Sequence, residues 1–253
     1  MKNRLTEKIR STGHVLGTVV QFDSIFSLEL TAHAGFDFVM LDWQHGSWNK
    51  DTMIAGLRAV DAAGCVAVAR LASHAAQDVL WMLDAGYDTL IVPMVNTAEE
   101  ARALVNACYY PPLGGRSYGN LRAALRQGPA YIDEINDHLL FLPMIETPEA
   151  VQSVEDILDI EGVGGCLVGT GDLALCLRKS ESASQSMDYD QAVERMLHAA
   201  LDRDKVAAIH ERSAELVRRR LKEGFQFVSC AGDARFFKKG IESFLEELNI
   251  QGD

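Results

Sequence analysis

No stretch of this chain approaches the roughly 20 consecutive apolar residues that span a bilayer, and its opening MKNRLTEKIR has no apolar core of the kind a secretory leader carries. No membrane partner is expected, and a cytoplasmic location is the simplest expectation. Basic residues are scarce: 24 Lys and Arg stand against 36 Asp and Glu, a formal net charge of -12, and no concentrated basic run offsets it. Such a field disfavours nucleic acid and anionic lipid as partners. An anionic substrate would need a local metal ion or arginine. The five cysteines, Cys65, Cys108, Cys166, Cys176 and Cys230, lack CxxC spacing, and three lie in apolar runs. That pattern fits reduced, buried thiols better than disulfides or a zinc site. None of the eight lysines ends an apolar run, so a Schiff-base mechanism lacks its amine.

What is present is a repeat. AGFDFVMLD, AGYDTLIVP, EGVGGCLVG and EGFQFVSCA share one design, and AGCVAVARL follows it. In each, a helix-like segment closes at a glycine (Gly35, Gly86, Gly162, Gly224 and Gly64), and a short apolar run follows. A glycine that accepts positive φ closes a helix, and a continuous apolar run suits a parallel strand buried on both faces. Further apolar runs at Val15–Val20, Leu139–Ile145 and Val206–Ile209 bring the strand count to eight, separated by amphipathic segments. Eight strands alternating with helices predict a (β/α)8 TIM barrel, with residues 1–253 as a single domain. An open doubly wound sheet is the rival, but no GxGxxG follows the first strand. The longest irregular stretch is expected at YYPPLGGRSYGNLRAALRQGPAY, a candidate binding loop. RKSESASQSMD reads as mobile surface.

In such a barrel the chemistry gathers at the C-terminal ends of the strands. There VMLDWQHGSW leaves its apolar run through Asp42, Gln44 and His45 instead of through turn residues. Strand three ends in Arg70, strand five in Glu146, strand six in Asp172 and strand seven in His210. Any one of these is unremarkable, since charges are common at strand ends. Glu146 and Asp172, however, end adjacent strands, so two carboxylates can share one divalent cation. Hard oxygen ligands suit Mg²⁺ or Mn²⁺, while Co²⁺ or Zn²⁺ can also bind. Helix capping is the competing explanation for each carboxylate alone. Gly169 and Gly171 bare the backbone amides where a helix begins at Asp172, a place for a substrate carboxylate. His45 needs a partner to act as a base; Asp84 is one possibility, and an exposed helix-end aspartate is the other. His210 and His74 are weaker candidates, expected as satisfied surface or core histidines. Arg116 either binds a distal carboxylate from its loop or is simply solvated.

LDWQHG, VPMVNTAEEAR, YYPPLGGRSYG, MIETPEAV and EGVGGCLVGTGDLA together resemble, in order and spacing, the HpcH/HpaI family of metal-dependent class II pyruvate aldolases, from about Gly17 to Gly232. The resemblance implies a barrel whose last helix is exchanged between subunits of a homo-oligomer, a hexamer built from dimers. It implies cleavage of a 4-hydroxy-2-oxo acid to pyruvate and an aldehyde. In that pattern Glu146 and Asp172 match the metal ligands, and Arg70 matches the arginine that steadies the enolate oxygen. His45 with Asp84 matches the acid–base dyad, Asp42 organises the site, and the backbone of Gly169, Thr170, Gly171 and Asp172 holds the pyruvate carboxylate. Gln44, Met144, Trp43 and Thr170-Gly171 depart from the family's usual residues. Two rivals are a related metal-dependent lyase acting on an acyl-CoA or a phosphonate, and a barrel that binds an oxo acid without turning it over.

Overall fold

The computed structural model describes residues 3–179 and 187–248. Eight parallel strands form a closed barrel in sequence order: β1 (Val15–Val20), β2 (Phe38–Asp42), β3 (Val66–Arg70), β4 (Thr89–Val92), β5 (Leu140–Ile145), β6 (Gly165–Val168), β7 (Val206–Glu211) and β8 (Phe227–Gly232). The five helix-closing glycines have φ between 74° and 109°, values that a residue with a Cβ adopts only under strain. All five cysteines are free thiols, and three are buried.

The barrel interior follows from a period of two. On β2, Phe38 and Met40 point inward; on β3, Val66 and Val68; on β5, Leu140, Leu142 and Met144; on β7, Val206 and Ala208. The intervening residues, such as Val39, Leu41, Ala67, Ala69 and Ile209, pack outward against the helices. Gly17 of β1 is inward too, because a methyl there would lie 2.4 Å from the Phe38 ring. Phe38 in turn packs on Phe227, with ring centroids 4.1 Å apart.

The N-terminal helix α1 (Arg4–Thr12) closes the end where the strands begin. Leu5 and Ile9 join the interior cluster beside Val15, Phe38, Val66 and Phe227. Asn3 fixes the helix there: its side-chain oxygen accepts from the Leu5 and Thr6 amides, and its Nδ2 donates to Thr89 Oγ1 at 3.0 Å.

The outer layer holds α2 (Ile25–Ala32), α3 (Lys50–Ala62), α4 (Ala76–Asp84), α5 (Ala98–Cys108), α6 (Leu121–Gln127), α7 (Tyr131–His138), α8 (Pro148–Gln152), α9 (Val154–Leu158), α10 (Thr170–Lys179), α11 (Tyr189–Leu201), α12 (Ala214–Glu223) and α13 (Asp233–Glu247). The expected long loop is therefore shorter than predicted, since α6 occupies most of its second half and α7 begins at its last residue, Tyr131. NLRAALRQ folds because α6 has partners on neighbouring elements: Arg126 pairs with Asp61 at 2.7 Å and with Asp88 at 3.3 Å, and Arg122 donates to the Ala85 carbonyl. What remains irregular, residues 109–120, lies at the end where strands begin. Tyr109 Oη donates to the carbonyl of Gly162, just ahead of β6, at 2.6 Å. This loop is no lid over the mouth of its own barrel. The polar tract RKSESASQSMD falls largely outside the described residues, of which 180–186 are not part.

Candidate active site

The polar residues at the mouth continue the inward series of their strands. After Phe38 and Met40 comes Asp42; after Val66 and Val68 comes Arg70; after Leu142 and Met144 comes Glu146; after Val206 and Ala208 comes His210. An inward phase that stays apolar fills the core, and its next member faces the mouth.

Asp42 and Arg70 are register partners across β2 and β3. The Asp42 carboxylate is fully buried and accepts both Nε (2.8 Å) and Nη2 (2.5 Å) of Arg70, the bidentate geometry that orients a guanidinium most firmly. Gln21 Nε2 (3.1 Å) and the His45 amide (3.1 Å) complete its shell. Burial alone would raise the Asp42 pKa, but the Arg70 hydrogen bonds and charge, with those two donors, hold it below its ordinary value. Arg70 is thereby a fixed positive donor at the mouth.

Glu146 is also buried, and its Oε1 accepts from the Met94 amide at 2.7 Å. Met94 holds a left-handed φ of 57° in the turn after β4, which places that N–H beside the end of the neighbouring β5. Burial raises the Glu146 pKa, with the Met94 hydrogen bond opposing; the charge of Asp172 raises it further and that of Arg70 lowers it. Gly169 shows how close the strands come, since a methyl there would lie 2.3 Å from Glu146 Oε2. Asp172 stands in the first turn of α10 and lines the same cavity. Thr170 Oγ1 donates to the His210 carbonyl at 3.0 Å, tying the start of that helix to β7.

The cavity at the mouth encloses about 640 Å³ and brings together His45, Arg70, Glu146, Gly169, Thr170, Gly171, Asp172 and His210. His210 is therefore a site residue, contrary to its expected place on the surface or in the core. Its Nδ1 lies 2.9 Å from Ser229 Oγ. Burial, and then the charges of Arg70 and Arg212, push its pKa down to about 4, so the imidazole is neutral near pH 7. His74 lies elsewhere, in a shallow surface pocket with Ala76, Glu100 and Leu104.

Two residues considered for the site lie away from the mouth. Asp84 ends α4, at the barrel's other end, and does not line the cavity. Its carboxylate accepts from Arg116 Nη2 at 2.7 Å, so no His45–Asp84 pair forms within the chain. Arg116 is neither solvated nor at the mouth. Its side chain is wholly buried, donates to Tyr131 Oη at 3.0 Å and lies 4.6 Å from the Tyr110 ring centre. Trp43 packs on Trp81, ring centres 5.5 Å apart, on the outer face. Met144 sits one inward step below Glu146, and Gln44 buries a side-chain oxygen with no partner among the described residues.

Four residues escaped the sequence reading. Gln21 follows β1 directly, so its strand-end position is the signal that marks it, and its Nε2 reaches Asp42. Asp233 accepts from the Gln21 and Phe22 amides, both at 2.9 Å, joining β8 to β1. Arg212 and Arg235 line the cavity from just past β7 and from the first turn of α13. Neither bears a local sequence signature.

Among the described residues, no group of three or more His, Cys, Asp or Glu could hold a metal ion. The donor set at the mouth is a pair of hard oxygen ligands, one buried and uncomfortable with its charge beside the other. Such a pair fits a divalent ion that keeps coordination positions for water and substrate.

Fold and mouth together define a (β/α)8 barrel of the enzyme kind, with paired carboxylates beside a clamped arginine. Residues 20–239 match the sequence pattern of the HpcH/HpaI aldolase/citrate lyase family, and the chain belongs to that family. It is 36% identical over 234 residues to a 4-hydroxy-2-oxovalerate aldolase of Novosphingobium aromaticivorans, covering 88% of this chain and 87% of that one. It is 30% identical over 254 residues to a 4-hydroxy-2-oxo-heptane-1,7-dioate aldolase of Escherichia coli, covering 99% and 97%. A solved HpcH/HpaI aldolase/citrate lyase family protein from Burkholderia cenocepacia J2315 superposes with a TM-score of 0.87 at 24% identity, covering 98% of this chain and all of that one.

Proposed function

We propose that this protein is a class II aldolase that reversibly cleaves a 4-hydroxy-2-oxo acid to pyruvate, or a close 2-oxo acid, and an aldehyde. The observation that carries the reading is the meeting of Glu146, Asp172 and the Asp42-clamped Arg70 in one cavity. The names of the two curated relatives support the same chemistry.

Glu146 and Asp172 would hold a divalent cation, Mg²⁺, Mn²⁺ or Co²⁺, with Zn²⁺ a further possibility. Such an ion, when bound, spreads the negative charge that develops on the 2-oxo acid. The amides at the start of α10, from Gly169 to Asp172, receive the 2-oxo acid carboxylate. Arg70 donates to the C2 oxygen, where charge grows as the C3–C4 bond breaks, and needs no reorganisation because Asp42 already holds it. His45 takes the C4 hydroxyl proton, an imidazole being suited to proton transfer near neutral pH. The C4–O bond becomes the aldehyde carbonyl, the C3–C4 electron pair passes into the enolate, and a proton delivered to C3 yields pyruvate. Asp84 can support His45 only from a second copy, since the two lie at opposite ends of one barrel. Assembly into a hexamer with exchanged C-terminal helices is part of this reading. Its support is the row of exposed apolar side chains on α13, Phe237 (65%) and Phe244 (62%) foremost.

Glu146→Ala and Asp172→Ala should each abolish metal-dependent pyruvate release, read by coupling to lactate dehydrogenase, while circular dichroism stays unchanged. Full activity in either variant, or in the chelated wild type, removes the reading.

A further inference from the structure

The chain carries twelve more acidic than basic residues, yet its mouth gathers three guanidiniums, Arg70, Arg212 and Arg235. Arg70 is committed to Asp42. Arg212 and Arg235 are exposed, line the cavity from the β7–β8 side, and form no ion pair with a carboxylate among the described residues. Arg212 lies over the start of α10: a methyl on Gly171 would sit 3.3 Å from its Nη2. The carboxylates that could neutralise this arc are turned away. Glu211 is buried against Arg220 at 2.8 Å, and Asp233 is spent on the Gln21 and Phe22 amides. The mouth is thus divided. Glu146 and Asp172 stand at the ends of β5 and β6, and unpaired positive charge stands beyond β7 and β8, with the uncharged His210 between the two parts.

From this division we infer that Arg212 and Arg235 form a second anion subsite, taking an oxyanion at the far end of the aldehyde half of the substrate. The inference rests on the aldolase reading and names its substrate class: 4-hydroxy-2-oxo acids ending in a carboxylate or a phosphate. The near carboxylate has its own donors in the α10 amides, so these arginines are left for a group further along the chain. Two guanidiniums offer planar, forked donors matched to such oxyanions. In an acidic molecule they also concentrate anionic substrate at the opening it must enter. Family membership leaves the point open, since the named substrates of the two relatives differ in whether a second carboxylate ends the chain.

The test uses the Mn²⁺-loaded protein, pyruvate, and three aldehydes of matched length ending in a methyl, a carboxylate or a phosphate. A preference in kcat/KM of at least about tenfold for an anionic aldehyde over the neutral one is expected, and the better of the two anionic arms identifies the group. Arg212→Met and Arg235→Met should each lower that preference by about tenfold, chiefly through KM, the scale of one charge-assisted hydrogen bond. Arg235→Lys should keep part of it, and raised salt should erode it. A wild type without the preference, or a ratio unchanged in both Met variants, overturns the inference. Exchange of the pyruvate methyl protons with D₂O needs no aldehyde and separates the two failures. Exchange without preference removes only the arginine subsite, whereas no exchange removes the aldolase reading and the subsite with it.

Discussion

Single residues at the mouth do their work through what their neighbours withhold or supply. Asp42 keeps its charge in a dry setting because four donors, two of them on one guanidinium, outweigh the cost of burial. His210 is the opposite case, half-buried beside two arginines with the Ser229 hydroxyl near its Nδ1. Its folded pKa of about 4 lies below the ordinary 6.5, so between those limits the unfolded chain binds the extra proton. Stability contributed by neutral His210 is therefore complete above pH 6.5 and declines as pH falls toward 4. Urea unfolding of the wild type should show ΔG falling by roughly 1–3 kcal/mol across that interval from this group. His210→Gln should flatten that part of the profile, and an unchanged slope would refute the assignment. Strand-end position made His45, Arg70, Glu146 and Asp172 legible in the sequence. Arg212 and Arg235 were not legible, because a side chain one or three residues beyond a strand can lean over the opening or away from it.

At the scale of elements, each strand carries a message in its alternation and each helix in its ends. Inward phase decided which polar residue faces the cavity, and the apolar run on β5, whose next inward residue is Glu146, shows it most clearly. Asn49 and Thr97 each close a capping box at the start of α3 and α5, which fixes where those helices leave the mouth. The first helix is as much part of the core as any strand, since Leu5 is 1% exposed and packs into the barrel's lower end. Leu5→Ala should cost about 2–4 kcal/mol in chemical denaturation, with kcat little altered because the mouth is at the far end. The two helices in the stretch after α5 were the element-scale surprise. Turn residues crowd the segment just before α6, and α6 forms because its Arg122 and Arg126 find acceptors on Ala85, Gly86, Asp61 and Asp88.

For the whole molecule, the feature that bears on assembly is the apolar face of α13. Phe237, Phe244, Ile241 and Leu248 are 65%, 62%, 47% and 51% exposed, an apolar row of the kind that marks an interaction surface. If subunits pair through it, as proposed above, Phe237→Asp with Phe244→Asp should convert the assembly to monomers in light scattering after size-exclusion chromatography. The double variant should also lose most of its aldolase activity, because Asp84 of another copy could no longer support His45. A wild type that is already monomeric at micromolar concentration would overturn the assembly. The placement of Asp84 and Arg116 belongs to this scale as well: Asp84 ends α4 and Arg116 follows α5, and both helices run back from the mouth to the end where the strands begin.

Periodicity and glycine spacing were enough to settle the barrel, because a parallel strand buried on both faces and a helix closed by a left-handed residue are local necessities that any eight-fold repetition must resolve in the same way. Charge balance and cysteine spacing likewise follow from composition without coordinates. The division of the mouth into a carboxylate side and a guanidinium side needed the closed sheet. Closure brings β8 beside β1 and α10 beside β7, and it sets the bearing of a loop side chain by packing across strands far apart in the chain, where no local pattern can reach.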